Sequence, residues 1–108
     1  MKFKPIIIVA GEPNSVFLEI FLKVITKKKF KSPIILICSK KILKKQSKAL
    51  NYKIKFKEIN DEEIFLKKIN LNKLNLINIE YNQNKAFEKI SSRSKNYISQ
   101  CFDVGLKI

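Results

Sequence analysis

The chain of 108 residues contains no histidine and no tryptophan, and Arg93 is the single arginine among its 23 basic residues. Histidine is the commonest metal ligand and the commonest general base. Guanidinium groups provide the bidentate contacts that favour specific phosphate and base recognition, and lysines do not. The sequence therefore places any Ser-His or zinc-histidine chemistry outside these residues.

Long apolar runs are also absent, because no stretch approaches the roughly 20 residues that a membrane-spanning helix needs. The start, Met-Lys-Phe-Lys-Pro, lacks the apolar core and the small-residue cleavage site of a signal peptide. Cys38 and Cys101 are the two cysteines, and they form no CxxC pair. These features predict a cytoplasmic protein with buried reduced thiols and no membrane partner.

Charge of one sign dominates, since 23 basic and 9 acidic residues give a formal net charge of +14. Such an excess raises nucleic acid or an anionic membrane as a partner. The chain is also rich in Ile and Asn, and codon bias toward A and T would enrich these residues together with Lys. We therefore interpret most lysines as a solvated surface, which makes a nucleic-acid partner the less favoured alternative.

The first 24 residues predict a strand, a loop and a helix. The apolar run at residues 6–10 predicts a strand that is buried on both faces. Gly11 to Ser15 would form a loop at the carboxyl end of this strand, where open α/β sheets bind ligands. From Phe17 onward the apolar residues recur with the spacing of a helix. The residues expected on its core face are Phe17, Ile20, Phe21 and Val24.

A second strand and helix are predicted next. Residues 34–38 are a continuous apolar run, which indicates a buried parallel strand, and Ser39 is the expected N-cap of a helix over residues 40–50. Residues 53–57 alternate lysine with apolar residues, which is typical of an edge or half-exposed strand. The nucleic-acid alternative would use the lysines of residues 40–45 and 53–57.

The last third of the chain continues the alternation. Asn60 to Glu63 has the residues of a capping box, so these acids predict a helix start rather than a metal or acid–base site. Residues 74–81 suggest a strand, and a final helix begins near Ser92 or Ser94. Its expected apolar stripe is Ile98, Cys101, Phe102, Gly105 and Leu106. Alternating strands and helices predict one α/β unit with mostly parallel strands and flanking helices.

Three stretches of the chain resemble the amino-terminal part of the 4-hydroxythreonine-4-phosphate dehydrogenase family. They are residues 4–23, residues 32–50 with the sequence SPIILICSKKILKKQSKAL, and residues 88–108 with the sequence EKISSRSKNYISQCFDVGLKI. Where this family has Gly-Asp-Pro-Ala-Gly-Ile-Gly-Pro-Glu, the chain has residues 11–19, GEPNSVFLE. The order of the elements also agrees with the family.

Within this loop the match is partial. Gly11, Pro13 and Glu19 are the family residues, and Glu12 is a conservative change. Ser15 and Phe17 stand where the family has glycines. Because glycine lets the backbone approach a ligand closely and adopt a positive φ, these changes predict a poorer ligand cradle than the family's.

The resemblance implies a partial three-layer α/β sheet of the isocitrate/isopropylmalate dehydrogenase type, in a cytoplasmic homodimer. The implied reaction is oxidation of a phosphorylated threonine derivative, with hydride passing to NAD, in pyridoxal phosphate (vitamin B6) biosynthesis. The family's histidines bind a divalent metal that polarises the reacting oxygen. Since this chain has no histidine, it is expected to be an amino-terminal portion of a longer dehydrogenase, inactive alone.

The resemblance assigns no catalytic residue and no metal ligand to these 108 residues. The residues that it places beside the nicotinamide nucleotide are Gly11, Glu12, Pro13, Asn14 and Ser15. The same loop can be interpreted as a tight connection in which Asn14 or Ser15 caps the helix. The alternative function is a small basic α/β module that binds nucleic acid.

Overall fold

The computed structural model describes residues 4–60 and 74–108. The strands in these ranges are β1 Ile6–Val9, β2 Ile34–Cys38, β3 Phe56–Glu58 and β4 Leu74–Asn78. The helices are α1 Phe17–Lys27, α2 Lys40–Ala49 and α3 Lys95–Lys107, and a 3-10 turn at Ser92–Ser94 precedes α3. The helix start predicted at residues 61–63 lies outside the described residues.

The strands form one parallel sheet in the order β1-β2-β4-β3. This topology confirms the predicted α/β fold with a parallel sheet and flanking helices. No helix in the described ranges is long and apolar enough to cross a membrane.

Strand β2 is the centre of the core. All five of its residues are buried, as its continuous apolar run predicts. Strand β4 lies beside it, and the register pairs Leu36 with Leu76 and Ile37 with Ile77. Both strands have a strand neighbour on each side, which explains why their apolar side chains are withdrawn from water.

Two apolar clusters cover the opposite faces of the sheet. Helices α1 and α2 contact each other and form the first cluster with the side chains of alternate strand residues, among them Leu36 and Leu76. Helix α3 packs on the other face, where Tyr97 and Cys101 meet Ile35. Cys38 and Cys101 are both buried and free, which confirms the prediction for the thiols.

The prediction that β1 is buried on both faces holds only in part: Ile8 packs against the first cluster and Ile7 and Val9 against the second, but no residue of the strand is fully buried. Strand β1 lies at an edge of the sheet that the described residues form, and Ile6 is 43% exposed. The other three residues of β1 are half-buried. An apolar run indicates that a segment forms a strand. It does not indicate whether the strand lies at the centre or the edge of the sheet, because the neighbouring strands come from distant parts of the chain.

The predicted core faces of the outer helices are rotated from the observed ones. In α1 the buried residues are Leu18, Phe21 and Leu22, whereas Ile20 and Val24 are exposed. Residues 17, 20, 21 and 24 and residues 18, 21, 22 and 25 have the same helical spacing, so periodicity alone could not distinguish the two faces.

The same error affects α3. Its buried residues are Tyr97 and Cys101, and Phe102 and Leu106 of the predicted stripe are exposed. Gly105 packs closely against the sheet. A Cβ atom at this position would lie only 2.9 Å from Cγ2 of Val9, so a larger residue would not fit without a shift.

The alternating lysine segment gives an edge strand, as predicted, but the strand is shorter and shifted. Strand β3 comprises Phe56–Glu58, and within residues 4–60 and 74–108 it pairs with β4 alone. Lys53 and Lys55 are exposed, and Ile54 is half-buried before the strand begins.

Candidate functional site at the carboxyl edge of the sheet

The loop from Gly11 to Ser15 leaves the carboxyl end of β1, as the sequence predicts. The N–H of Ala10 donates to the carbonyl oxygen of Ile37 at 3.1 Å, which extends the pairing with β2 up to the loop. Gly11 has φ +73°, and a Cβ atom there would meet nothing within 4 Å. Glycine is therefore required by the backbone conformation, and the space beside this peptide is open.

The carboxylate of Glu12 is held at the start of α3. Its Oε2 accepts a hydrogen bond from the hydroxyl of Ser94 at 2.7 Å, and its Oε1 accepts one from the N–H of Asn14 at 3.2 Å. Ser94 is buried and immediately precedes α3. A carboxylate at a helix N-terminus is stabilised by the helix dipole.

Asn14 connects the loop to a segment more than 60 residues away in the sequence. Its side-chain amide exchanges two hydrogen bonds with that of Gln83, at 3.0 and 2.9 Å. Its Oδ1 also accepts from the N–H of Glu88 at 2.9 Å. Asn14 does not cap α1, because its side chain is engaged with this distant segment.

Ser15 closes the turn that leads into α1. Its hydroxyl donates to the carbonyl oxygen of Glu12 at 2.9 Å and accepts from the N–H of Phe17 at 3.3 Å. Val16 occupies the N-cap position without a side-chain cap, so Ser15 binds the first helical N–H from one residue earlier. Apart from Asn51, no described non-glycine residue has a positive φ, so Ser15 and Phe17 fit here without strain.

Residues 79–94 cross over the carboxyl ends of the strands on the way from β4 to α3. The N–H of Ser39, which follows β2, donates to the hydroxyl oxygen of Tyr97 at 2.7 Å. Ser39 also caps α2, because its hydroxyl accepts from the N–H of Ile42 at 3.2 Å, as predicted. The crossing segment thus covers part of the edge where a ligand of an open α/β sheet would bind.

Gln46 of α2 joins this segment to the predicted cofactor loop. Its Nε2 donates to the carbonyl oxygens of Pro13 at 2.6 Å and Ala86 at 2.9 Å. Its Oε1 is buried without a hydrogen-bond partner in the described part of the chain. Pro13 is itself fully buried, so it supports the loop and does not present a surface to a ligand.

Basic side chains border the same edge. The guanidinium of Arg93 donates to the carbonyl oxygen of Asn82 and lies 3.6 Å from the carboxylate of Glu88. Lys45 donates to the carbonyl oxygens of Gln83 and Asn84. These cations hold the crossing segment in place.

The lysines that would bind nucleic acid in the alternative function have different surroundings in the structure. Lys45 binds the crossing segment, and Lys40 pairs with Glu58 at 2.7 Å. Lys44 and Lys53 line one open cavity of about 410 Å³. Members of the two predicted lysine groups therefore come together at this cavity, and Lys40 also reaches β3 through its pair with Glu58.

Three protonated groups lie beneath the site. Burial raises the pKa of the Cys38 thiol and of the Tyr97 phenol well above their ordinary values. Burial also raises the pKa of Cys101 to about 11, although its hydrogen bond with Tyr97 opposes this change. Protonated thiols are poor nucleophiles, so both cysteines act here as apolar core residues.

Comparison of the sequence with models of known protein families finds no match, and comparison with curated proteins finds none either. The dehydrogenase resemblance therefore depends on the residues quoted above.

Sequence reasoning missed three residues that build the site, namely Gln46, Gln83 and Ser94. The available signal was a glutamine among the apolar residues of α2. Such a residue is expected to be buried and hydrogen-bonded, but its partner 40 residues away could not be deduced.

Proposed function

We propose that the chain is the amino-terminal α/β unit of an NAD-dependent 4-hydroxythreonine-4-phosphate dehydrogenase acting in cytoplasmic pyridoxal phosphate biosynthesis. One observation carries the proposal. Residues 11–19 and 88–108, which both resemble this family, are joined by two hydrogen bonds: Ser94 donates to Glu12 at 2.7 Å and the N–H of Glu88 donates to Asn14 at 2.9 Å. These contacts support the proposal, because they bring the residues that carry the resemblance together at the carboxyl edge of the sheet.

The loop residues would divide the contacts with the nucleotide. Gly11 leaves open space beside its peptide, so this backbone can be approached closely. The carboxylate of Glu12 would accept hydrogen bonds from ribose hydroxyls and would repel a phosphate. Phosphate groups would instead lie toward Lys41 and Arg93, which are exposed on the same edge. When bound, NAD accepts the hydride of the alcohol oxidation.

The divalent metal of the family does not fit this chain. The sequence has no histidine, and the described residues contain no group of three or more His, Cys, Asp or Glu side chains that could hold a metal. In this proposal the metal ligands and catalytic residues come from a different stretch of polypeptide, within a homodimer of the isocitrate/isopropylmalate dehydrogenase type.

The nucleotide contact can be tested by titrating the ¹⁵N-labelled chain with NAD⁺ and recording amide chemical shifts. We expect the largest changes at Gly11 to Ser15 and at Ser94, and we expect Glu12→Gln to weaken binding. Asp103→Asn is the matched control, because Asp103 is an exposed acid in the second half of α3, nine residues beyond Ser94. NAD⁺ saturation without shifts in this loop would contradict the site assignment.

Activity is tested by mixing the chain with a separately expressed carboxyl-terminal portion of a family enzyme, which supplies the histidines. NADH formation from 4-hydroxythreonine 4-phosphate should require both polypeptides. Anisotropy titrations with single-stranded RNA at two salt concentrations address the alternative. Binding at physiological salt that is lost in Lys44→Gln with Lys53→Gln would favour a nucleic-acid module.

A further inference from the structure

The amino ends of the strands border a cavity of about 640 Å³, at the edge of the sheet opposite the Gly11 to Ser15 loop. Ile34 and Leu74, the first residues of β2 and β4, form part of its wall. Ile25 of α1 and Ile54, which precedes β3, also line it. We name it the amino-edge cavity. Its volume is in the range of about 300 to 1,000 Å³ that is usual for small-molecule sites.

Four lysines from two separate segments line the amino-edge cavity. They are Lys28 and Lys29, which follow α1, and Lys53 and Lys55, which precede β3. All four are exposed, and none forms a side-chain hydrogen bond or an ion pair with any residue that the structure describes. The dipole of α1 accounts for cations at its carboxyl end. It does not account for Lys53 and Lys55, which the fold brings there from another segment.

The described residues that line this cavity include no acidic residue. The acids of the described ranges are Glu12, Glu19, Glu58, Glu80, Glu88 and Asp103. At the carboxyl edge, by contrast, Lys40 pairs with Glu58 at 2.7 Å. Like charges that converge on one cavity repel each other. An anion placed among them would replace this repulsion by attraction, so the local imbalance of charge selects an anionic ligand.

The hydrogen-bond donors at the cavity suit a phosphate group. Lysine ammonium groups donate hydrogen bonds and accept none. The hydroxyl of Ser32, which also lines the cavity, has no partner in the described ranges and can donate as well. That of Thr26 already donates to the carbonyl oxygen of Leu22 at 2.7 Å. A phosphate monoester carries about 1.5 to 2 negative charges at neutral pH, so it matches several converging lysines better than a single carboxylate does.

The rest of the lining is apolar and indicates that the phosphate is attached to an apolar group. Phe30 lines the cavity and is 41% exposed, so its ring can contact a ligand. It is the single aromatic residue among the described residues of the lining. Sites for single-stranded nucleic acid stack successive bases on aromatic side chains. One exposed ring beside a recess of this size therefore favours a small molecule.

We propose that the amino-edge cavity binds a small phosphate monoester whose organic part is an apolar ring or chain. The lysines would surround the phosphate, and the apolar part would lie against Phe30 and Ile54. This inference is independent of the proposed enzymatic function, because it uses no residue of the carboxyl-edge loop.

The test titrates the ¹⁵N-labelled chain with naphthyl phosphate and, separately, with naphthol and with inorganic phosphate. We expect naphthyl phosphate to bind about tenfold more tightly than either of its parts, because charge and apolar contact both contribute. The largest changes in amide chemical shift should occur at Phe30, Ser32 and Ile54. The amides of residues 11–15 should not change.

Three variants make the test specific. Lys28→Gln with Lys55→Gln removes one cation from each segment of the cavity and should weaken naphthyl phosphate binding about tenfold. Lys85→Gln with Lys89→Gln is the same charge change on exposed lysines of the crossing segment and should leave the affinity nearly unchanged. Phe30→Ala should weaken binding of naphthyl phosphate but not of inorganic phosphate. Circular dichroism checks the fold of each variant.

Equal affinity for naphthyl phosphate and for either of its parts would overturn the proposal, as would equal losses in the two lysine variants. Shifts centred on the Gly11 to Ser15 loop, or no saturable binding in the millimolar range, would also overturn it. Tighter binding of a single-stranded oligonucleotide that is lost in Lys28→Gln with Lys55→Gln would assign these lysines to nucleic acid, which likewise overturns the proposal.

Discussion

Strands β1 and β2 have almost the same sequence but very different environments. Ile6–Val9 reads IIIV and Ile34–Cys38 reads IILIC, and the two strands pair in parallel register. Every residue of β2 is buried, and none of β1 is. The difference arises because β2 has strands on both sides, whereas β1 has one. Apolar composition thus specifies a strand and leaves its position in the sheet open.

The largest effect is expected when one isoleucine of β1 and its neighbour in β2 are each replaced by alanine. Ile7 and Ile35 are register partners, and Ile35 is fully buried. We expect Ile35→Ala to reduce the free energy of unfolding by about 3 to 4 kcal/mol, because it leaves a cavity in a closed core. Ile7→Ala should cost roughly half as much. Urea unfolding measures both, and equal losses would show that β1 is covered in solution.

The buried thiols give a pH-dependent test of the same core. Their pKa values are raised on folding, so folding favours the protonated form, and stability is intact below the unfolded value of 9.0 and falls above it. For Cys101 the decrease continues to about pH 11. We expect a loss of about 1.4 kcal/mol per pH unit for one thiol.

Urea midpoints measured from pH 7 to 10.5 check this prediction. Lysines also titrate in the upper part of this range, so the informative quantity is the difference between the chain and Cys101→Ala. The variant should be less stable at pH 7 but should lose less stability on going to pH 10.5. Parallel curves would mean that this thiol is accessible to water.

Gly105 of α3 packs against both β1 and β2, so a substitution there tests how much space the two strands leave for a side chain. A Cβ atom at Gly105 would lie 2.9 Å from Cγ2 of Val9 and 3.4 Å from Cδ1 of Ile37. We expect Gly105→Ala to cost about 1 kcal/mol, since overpacking exceeds the gain in helix propensity. In a Val9→Ala background the same change should become neutral or stabilising. A double-mutant cycle by thermal unfolding would show this coupling, and additivity would contradict it.

The smallest effect is expected at the opposite edge. Lys40 pairs with Glu58 of β3 at 2.7 Å, and both side chains are more than a third exposed. We expect Glu58→Gln to cost about 0.3 kcal/mol, with less effect at high salt. A loss similar to that of Ile35→Ala would mean that the ion pair, and not apolar packing, holds this edge.

Much of the fold could be predicted from local patterns. The apolar run of β2, the cap at Ser39 and the alternation that precedes β3 each gave the correct element. The core faces of α1 and α3 could not be predicted, because two overlapping stripes of the same spacing were present in α1. The choice between them depends on how the Gly11 to Ser15 loop directs the helix onto the sheet.

The candidate site was predictable only in its position. The sequence placed Gly11 to Ser15 at the carboxyl end of a strand, but it did not show that Asn14 binds Gln83 or that Glu12 binds Ser94. These contacts join residues 69 and 82 positions apart. Whether this loop contacts NAD stays a prediction.

The sequence by itself determined the alternation of strands and helices and the burial of β2 and Cys38, because short-range periodicity and composition govern these properties. Only the tertiary structure decided that β1 is an edge strand, that Ile20 and Leu106 face outward, and that residues 79–94 cover the carboxyl edge. Each of these depends on strand order, and strand order is set by contacts between segments that no local pattern relates.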